Sequence, residues 1–397
     1  MNIHYFRPSF LGCVLVFVCG QVFISDASAT PPSITQIQGT FSNGATVTIT
    51  GTGFGVKIPA KPFLWDDYEG EWVQHGERIL PEAGSAFTIA NKAAIGGYHY
   101  VADNPVSYTD SGVFSGQRAL YTLRESNQTG FSSRFSWDDG ATNAKRAFSS
   151  MVIRYKDETE ASWAGRGIKM LRINTWTPTP PNFHQYGEPA VWVGKTNVPY
   201  PSRLDSSIIY PPMQHLPWYS QPPEEFAGTN DKYFSVAAWG ALGNAEDHHG
   251  FVGLDFNGTI NERHYDDIYG ETAEFPGFRN FYFNGLTSSS NNARLEMWID
   301  EVYSDTTLAR VTANDLSKAG VSGPQGGQTA MQIPVAWSDS SIQIKVNTGR
   351  YSAGTQLAVV VWNASGEKSA PAFVTVADQG PADTTPPMAV SNLRRVE

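Results

Sequence analysis

Leu64–Glu69 (LWDDYE) and Leu295–Tyr303 (LEMWIDEVY) are the two stretches that decide the fold. The first opens and the second closes a long region that is rich in strand-like sequence. Further strand-like runs lie between them and are separated by segments rich in turn residues, which indicates an antiparallel sandwich. The runs are Arg118–Leu123, Met151–Lys156, Lys169–Asn174, Ala190–Val193, Tyr233–Trp239, Phe251–Phe256 and Arg279–Asn284.

This combination of an opening and a closing strand resembles the first and last strands of the jelly-roll sandwiches in carbohydrate-binding modules, concanavalin-like lectins and polysaccharide lyases. The resemblance implies an extracellular glycan as the ligand. It leaves open whether the protein binds the glycan or cleaves it.

The composition agrees with an all-β protein of two or three domains. The 397 residues include 37 glycines and 25 prolines, and only 17% are charged, which indicates many turns and few long helices. The formal net charge is −10 and there are no lysine or arginine clusters. Such a chain is a poor partner for nucleic acids or anionic membranes. We expect a monomer.

The N-terminal segment has the features of a secretory signal peptide. Phe10–Ile24 is mostly apolar but too short and too interrupted to span a bilayer, and Ala27–Ala29 fits the small-residue cleavage pattern. The alternative is a retained N-terminal anchor. Both cysteines, Cys13 and Cys19, lie in this segment. We therefore expect a mature chain from Thr30 without cysteine or a membrane span, either secreted or held at the cell surface or in the periplasm.

Two alternating segments suggest a second β-sandwich. Thr46–Gly55 (TVTITGTGFG) resembles the start of an immunoglobulin-like domain of the IPT/TIG type. The alternating run Ala336–Val346, followed by Leu357–Trp362 and Ala372–Val376, resembles its later strands. We expect one Ig-like domain that is split by the inserted jelly roll; a short N-terminal arm with a separate C-terminal sandwich is the alternative. The expected divisions are residues 1–29 (signal peptide), 30–62 and 305–378 (Ig-like), 63–304 (jelly roll) and 379–397 (linker or tail).

The segment Trp176–Glu225 holds 11 of the 25 prolines. We expect extended loops here, lying across one face of the sandwich around the Ala190–Val193 strand. Pyranose rings present C–H faces that pack on aromatic rings, so aromatic residues in these loops are candidates for sugar binding. The candidates are Trp176, Tyr186, Trp192 and Trp218; Trp239 is a further one, and some of these tryptophans are expected in the core.

A lyase needs a base that abstracts a proton, an acid for the leaving oxygen, and groups that neutralise the uronate carboxylate. His184, Gln185, Tyr186 and Arg172 are residues of these types. They resemble the catalytic set of alginate lyases, but His184 and Gln185 are adjacent in sequence, whereas that family places Gln and His two positions apart. A glycoside hydrolase is less favoured, because no paired-carboxylate motif is present.

Acidic residues at the two ends of the jelly roll are candidate calcium ligands. Similar carbohydrate-binding jelly rolls hold a structural Ca²⁺ there, and calcium prefers carboxylate and carbonyl oxygens. The resemblance implies Asp67, Glu69 and Asp300 as ligands; solvated acids at strand ends are the alternative.

The sequence thus favours an exported bacterial protein that binds an extracellular polysaccharide. A polysaccharide lyase acting on a uronate-containing glycan is the first alternative, and a structural or adhesive surface protein is the second.

Overall fold

The computed structural model describes residues 31–68, 78–79, 87–88, 99–101, 106–124, 133–136, 144–157, 166–174, 190–195, 203–210, 214–218, 231–243, 250–265, 277–278, 280–287, 295–318 and 327–378. These residues form 24 strands in three sheets, and every strand pair is antiparallel. The protein is therefore all-β with a jelly-roll-type sandwich, as the sequence predicts. The described residues include no helix with the length and apolar character that a membrane crossing requires.

One sheet, here called the terminal sheet, combines strands from both ends of the chain. Its strands are β1 (Ser33–Gln38), β2 (Thr46–Thr52), β20 (Arg310–Asn314), β21 (Ala330–Trp337), β22 (Ser341–Lys345), β23 (Gln356–Trp362) and β24 (Ala372–Thr375), and their order is β1-β2-β22-β21-β20-β23-β24. The pairing of β2 with β22 joins the N-terminal strands to the C-terminal ones.

The second sheet, here called the inner sheet, contains nine strands. They are β3 (Leu64–Asp66), β4 (Arg78–Ile79), β7 (Val106–Thr109), β8 (Ala119–Arg124), β10 (Arg146–Asp157), β15 (Tyr233–Ala241), β16 (Gly250–Phe256), β17 (Thr259–Tyr265) and β19 (Leu295–Asp305). The order is β17-β16-β15-β10-β19-β8-β7-β4, and β3 also pairs with β19. The opening and closing segments that decide the fold are thus neighbours, with Trp65 opposite Tyr303.

The third sheet, here called the outer sheet, contains eight strands in the order β14-β13-β12-β11-β18-β9-β6-β5. Their bounds are β5 (Phe87–Thr88), β6 (His99–Val101), β9 (Ser133–Ser136), β11 (Arg166–Asn174), β12 (Ala190–Lys195), β13 (Arg203–Tyr210), β14 (Gln214–Trp218) and β18 (Asn280–Thr287). The strand expected at Ala190–Val193 is present as β12, whereas the extended loops expected around it are wrong in part, because β13 and β14 also lie in Trp176–Glu225. Pro217 is compatible with a strand there because β14 is the last strand of the sheet, where one edge needs no backbone donor.

The terminal sheet folds over its own core at a corner in β21. Ala330–Gln332 pairs with β20 and Ile333–Trp337 pairs with β22, with a register shift between Pro334 and Ala336. Such irregularities allow one strand to take part in two packed layers. The enclosed core includes Val47, Ile49, Ile342, Ile344, Val359 and Val361, all fully buried. The Ig-like assignment of this sheet stays a prediction.

The inner sheet is covered on both faces. β10, β15 and β19 pack against strands of the outer sheet on one side, and Phe148, Trp239 and Tyr303 cluster with Met331 of β21 on the other. Every residue of β15 is consequently buried.

The packing around Trp239 is close. A Cβ built on Gly253 of the neighbouring strand would lie 1.9 Å from Trp239 Cε2, so only glycine fits beneath the indole. Trp239 is 1% exposed, and the indole Nε1 donates to Glu262 at 3.1 Å. Trp239 is therefore a core residue and not part of a sugar-binding surface.

A buried ion pair attaches the segment between β2 and β3 to the end of β19. Lys57 Nζ lies 2.7 Å from Asp305 Oδ2, and the side chains are 1% and 6% exposed. The ammonium also donates to the carbonyl oxygens of Ala60 and Lys61, at 2.7 and 3.1 Å. The other carboxylate oxygen, Asp305 Oδ1, accepts the backbone N–H of Thr306. All the charge buried at this point is therefore compensated by protein groups.

Candidate functional site

The two faces of the outer sheet differ in residue type. Strand register places Ile173 opposite Phe281, Phe281 opposite Phe135, and Phe135 opposite Tyr100. Residues directly opposite in antiparallel strands share a face. Ile173 is fully buried, so this apolar row belongs to the face that packs on the inner sheet.

The adjacent row belongs to the opposite face, because successive residues of a strand alternate between faces. In this row Arg172 is opposite Tyr282, Tyr282 is opposite Arg134, and Arg134 is opposite Val101. The next row on the same face holds Asn174, Asn280, Ser136 and His99, each opposite the next in the register. The sheet therefore brings together two arginines, a tyrosine, a histidine and two amides, and we call these positions the polar face.

Trp192 extends the polar face toward β13. It follows Ala190, the residue opposite Arg172, by two positions, and it is opposite both Lys169 and Asp205. A bulge in β11 between Lys169 and Leu171 accommodates the extra residue. Two residues predicted from sequence, Arg172 and Trp192, are thus placed on one face.

Trp218 takes a different place in the register. It is opposite Ser206, which alternates with Asp205 along β13, so its register position belongs to the other face. Trp176, His184, Gln185 and Tyr186 lie outside the described residues and stay predictions.

Sequence reasoning did not identify Tyr282, Arg134, Asn280 or His99. Tyr282 and Asn280 do occupy alternate positions of a candidate strand, and that spacing is the one sequence signal that singles them out. Their proximity to Arg172 depends on strand pairing, which a single strand pattern does not contain.

The predicted calcium ligands lie near the junction of β19 and the loop after β7. Asp300 is fully buried; Oδ1 accepts the N–H of Glu301 at 2.8 Å and Oδ2 accepts the N–H of Ser115 at 3.1 Å. Asp67 is partly exposed, and Glu69 lies outside the described residues. Burial raises the pKa of the neighbouring Glu301 to about 7, against hydrogen bonds from Asn347 and Ser115 that lower it.

Within the described part of the chain, no group of three or more His, Cys, Asp or Glu side chains is arranged to hold a metal ion. Calcium binding through Asp67, Glu69 and Asp300 therefore stays a prediction.

A cavity of about 230 Å³ lies between the inner and the terminal sheets. Its wall includes Arg310, whose guanidinium lies 3.8 Å from the ring centroid of Trp362, 4.2 Å from Phe148 and 4.9 Å from Trp239. Burial lowers the pKa of Arg310 to about 9, and the nearby Asp255 opposes this. Burial in turn raises the pKa of Asp255 to about 6. These contacts join two sheets, and we assign the cavity a structural role.

The chain matches no protein-family model, and no curated protein matches it either. Solved structures with a similar fold include an alginate lyase from a Chlorella virus, at 12% identity and a TM-score of 0.36, covering 48% of this chain and 86% of the lyase. The marine alginate lyase from Aplysia kurodai has 10% identity and a TM-score of 0.35, covering 52% and 88%. A cellulose-induced protein has 14% identity and a TM-score of 0.34, covering 62% and 97%. Likeness at this distance does not assign an activity to the chain.

Proposed function

We propose that the protein binds an anionic, uronate-containing polysaccharide along the polar face of the outer sheet. The observation that carries this proposal is the register that aligns Arg172, Tyr282 and Arg134 across three strands. Neighbouring strands lie about 4.8 Å apart, so the two arginine positions are separated by about 10 Å. A binding surface with repeated charges at this spacing suits a polymer with repeated carboxylates.

Each residue type on the polar face matches a chemical feature of such a glycan. Guanidinium groups pair with carboxylates through two parallel hydrogen bonds. Asn174 and Asn280 supply amides for sugar hydroxyls, and Trp192 supplies an aromatic ring for the C–H face of a pyranose. The basic residues of this face contrast with the net charge of −10 of the whole chain, which favours local recognition of an anion.

The test is a binding assay with uronate oligosaccharides and neutral glucans of equal length. We expect measurable affinity for the uronates only, with a loss of about tenfold or more in Arg172→Ala and Arg134→Ala, since charged hydrogen bonds contribute about 1.5–3 kcal/mol. Lys345→Ala is the matched control, because Lys345 is an exposed cation on β22 of the terminal sheet. Equal affinity for neutral glucans, or unchanged affinity in both arginine variants, would reject the proposal.

A polysaccharide lyase is the second candidate, and the position of Tyr282 between two arginines favours it. In β-elimination a base removes the proton next to the uronate carboxylate, and the glycosidic oxygen leaves with a proton. This gives an unsaturated uronate at the new end. Tyr282 and His99 are residues of the required acid and base types, and Arg172 with Asn280 would stabilise the developing charge on the carboxylate.

Ultraviolet absorbance of the unsaturated product distinguishes the two candidates. For a lyase, Tyr282→Phe should lower turnover by about 10²–10⁴-fold while oligosaccharide binding persists. For a binding protein, wild type should form no product at any enzyme concentration, and Trp192→Ala should weaken binding. The same assay with His184→Ala tests the catalytic set that the sequence suggests.

We also infer export, with processing near Thr30, and action as a monomer outside the cytoplasm. The signal-like segment at residues 1–29 supports the export and the processing. N-terminal sequencing of secreted material that returned Met1 would contradict it.

A further inference from the structure

A polar cleft, distinct from the cavity at Arg310, lies on the side of the inner sheet that faces away from the outer sheet. It has a volume of about 410 Å³, within the range of small-molecule sites, and Arg154, Tyr233, Arg350 and Lys232 contribute to its wall. Arg154 and Tyr233 are opposite each other in β10 and β15. They continue the face of Val152 and Ser235, which border the cavity toward the terminal sheet. The cleft is therefore separate from the polar face.

Arg154 is held in a fixed position. Its Nε and Nη2 both donate to Asp231 Oδ1, at 2.9 and 2.5 Å. The guanidinium lies 4.5 Å from the ring centroid of Trp298 and 5.9 Å from that of Tyr233. Gly112 packs directly against it, since a Cβ there would lie 2.5 Å from Arg154 Nη1. The position of this charge is set before any ligand arrives.

Arg350 approaches from the terminal-sheet side of the same cleft. Its Nε donates to the carbonyl oxygen of Phe114 at 2.7 Å, and its Nη2 lies 3.4 Å from that of Val113. The guanidinium stacks 5.0 Å from the Phe114 centroid and 5.2 Å from the Tyr233 centroid. Among the described residues, the remaining amino group, Nη1, has no hydrogen-bond partner. One donor edge of Arg350 is thus available on an exposed residue.

Two lysines add to the charge of the cleft. Lys232 and Lys318 are both exposed residues of its wall, and Lys318 lies 3.5 Å from Asp315. Among the described wall residues four are cations and one, Asp231, is a carboxylate. An excess of positive charge in a concave site raises the local concentration of anions, and this excess occurs in a chain of net charge −10.

We propose that this cleft is a second ligand site that binds the oxyanion of an acidic sugar, either a carboxylate or a sulfate. Arg350 Nη1 and the ammonium of Lys232 contact the oxyanion, and Arg154 supplies a fixed positive field behind them. The site is independent of the polar face and stands whether or not the proposed function is correct.

Nuclear magnetic resonance of the full chain, with labelled tryptophan indoles, tests the proposal. Trp298 lies beneath Arg154 and reports on the cleft, whereas Trp192 reports on the polar face; each signal is assigned by a Trp→Phe variant. The probes are glucuronate, glucose 6-sulfate and, as the neutral control, glucose. We expect a saturable shift of the Trp298 signal with one or both acidic probes and none with glucose. The ratio of the two affinities then identifies the preferred oxyanion.

Variants decide whether the shift comes from the cleft. Arg350→Gln should weaken binding about tenfold through the lost charged hydrogen bond, and the exposed Lys232→Gln about two- to fivefold. Lys345→Gln on β22 and Arg172→Ala on the outer sheet should leave the Trp298 titration unchanged. If Arg350→Gln disturbs the fold, the Lys232→Gln titration still decides. The proposal is wrong if neither acidic probe shifts Trp298, or if the titration is unchanged in both cleft variants.

Discussion

The buried pair of Lys57 and Asp305 allows a quantitative prediction. Replacing Lys57 by Met keeps most of the side-chain volume but removes the charge 2.7 Å from the Asp305 carboxylate. A buried charge left without its partner costs about 3–5 kcal/mol. We therefore expect Lys57→Met to lower the free energy of unfolding by about that amount at about pH 8.

The loss of stability in Lys57→Met should depend on pH, and the pKa of Asp305 determines in which direction. Burial raises its pKa from 3.8 to about 6, while Lys57 lowers it. A carboxyl whose pKa is raised in the folded state destabilises the fold as pH rises from its unfolded pKa through its folded one. Without Lys57 the folded pKa moves higher still. Near pH 5 the carboxyl then takes up a proton, and the loss shrinks to about 2 kcal/mol for the hydrogen bonds to two carbonyl groups.

Urea denaturation followed by tryptophan fluorescence, at about pH 5 and about pH 8, measures both quantities. Lys61→Met is the matched control, since Lys61 is exposed and lies four positions along the same segment; its free energy of unfolding should stay within about 0.5 kcal/mol of wild type. A loss below about 1 kcal/mol at the higher pH, or an equal loss at both, would refute the reasoning.

The other predictions concern packing and metal binding. Arg310→Met should lower the free energy of unfolding by about 2–4 kcal/mol, because its cation–π contacts, including the one with Trp362, are lost. Lys368 is an exposed cation 5.7 Å from the Trp362 ring, so Lys368→Met should change the free energy of unfolding little. Equal effects of the two substitutions in thermal melting would contradict this prediction. Gly253→Ala should cost about 1–3 kcal/mol or more by overpacking and shift the emission of the adjacent indole, and a wild-type melting curve would disprove the clash. Calcium should raise the melting temperature by mass action, and Asp300→Ala should abolish the rise. If neither calcium nor a chelator changes the melting temperature, the proposed calcium site is wrong.

Local alternation identified β2 and β22, whereas the runs between Leu64 and Tyr303 were identified by their strand-like composition. The pattern of Thr46–Thr50 predicts β2, and Ile342, Ile344 and Val346 on one face predict β22. The period of two arises because one face of each strand is buried, as Ile342 and Ile344 are. Alternation is absent from β15, which is buried along its whole length, and Tyr233–Trp239 was predicted as a strand from its composition instead. A strand covered on both faces has no alternation, and the burial of Trp239 was therefore not decided by sequence.

The polar face shows a second limit of prediction from sequence. Arg172 was selected for its chemistry, but Tyr282 lies beside it and Arg134 lies beyond Tyr282 because of pairings between distant parts of the chain. A shift of one position in either register would replace Tyr282 by an apolar neighbour. The residues of each strand can be read from the sequence. The residues of a row across the sheet depend also on which strands pair and in which register.

The closure of the terminal sheet has a consequence for the timing of folding during synthesis. Gly55 and its hydrogen-bond partner Asp339 are 284 residues apart. A ribosome adds about 5–20 residues per second, so the nascent strand β2 waits about 15–60 s for β22 to emerge. The strands of the inner and outer sheets are all made within that interval. The strands β1 and β2 are synthesised first but are therefore among the last to join a complete sheet. Until β22 pairs with β2, the open edge of β2 must be kept from pairing with other nascent chains.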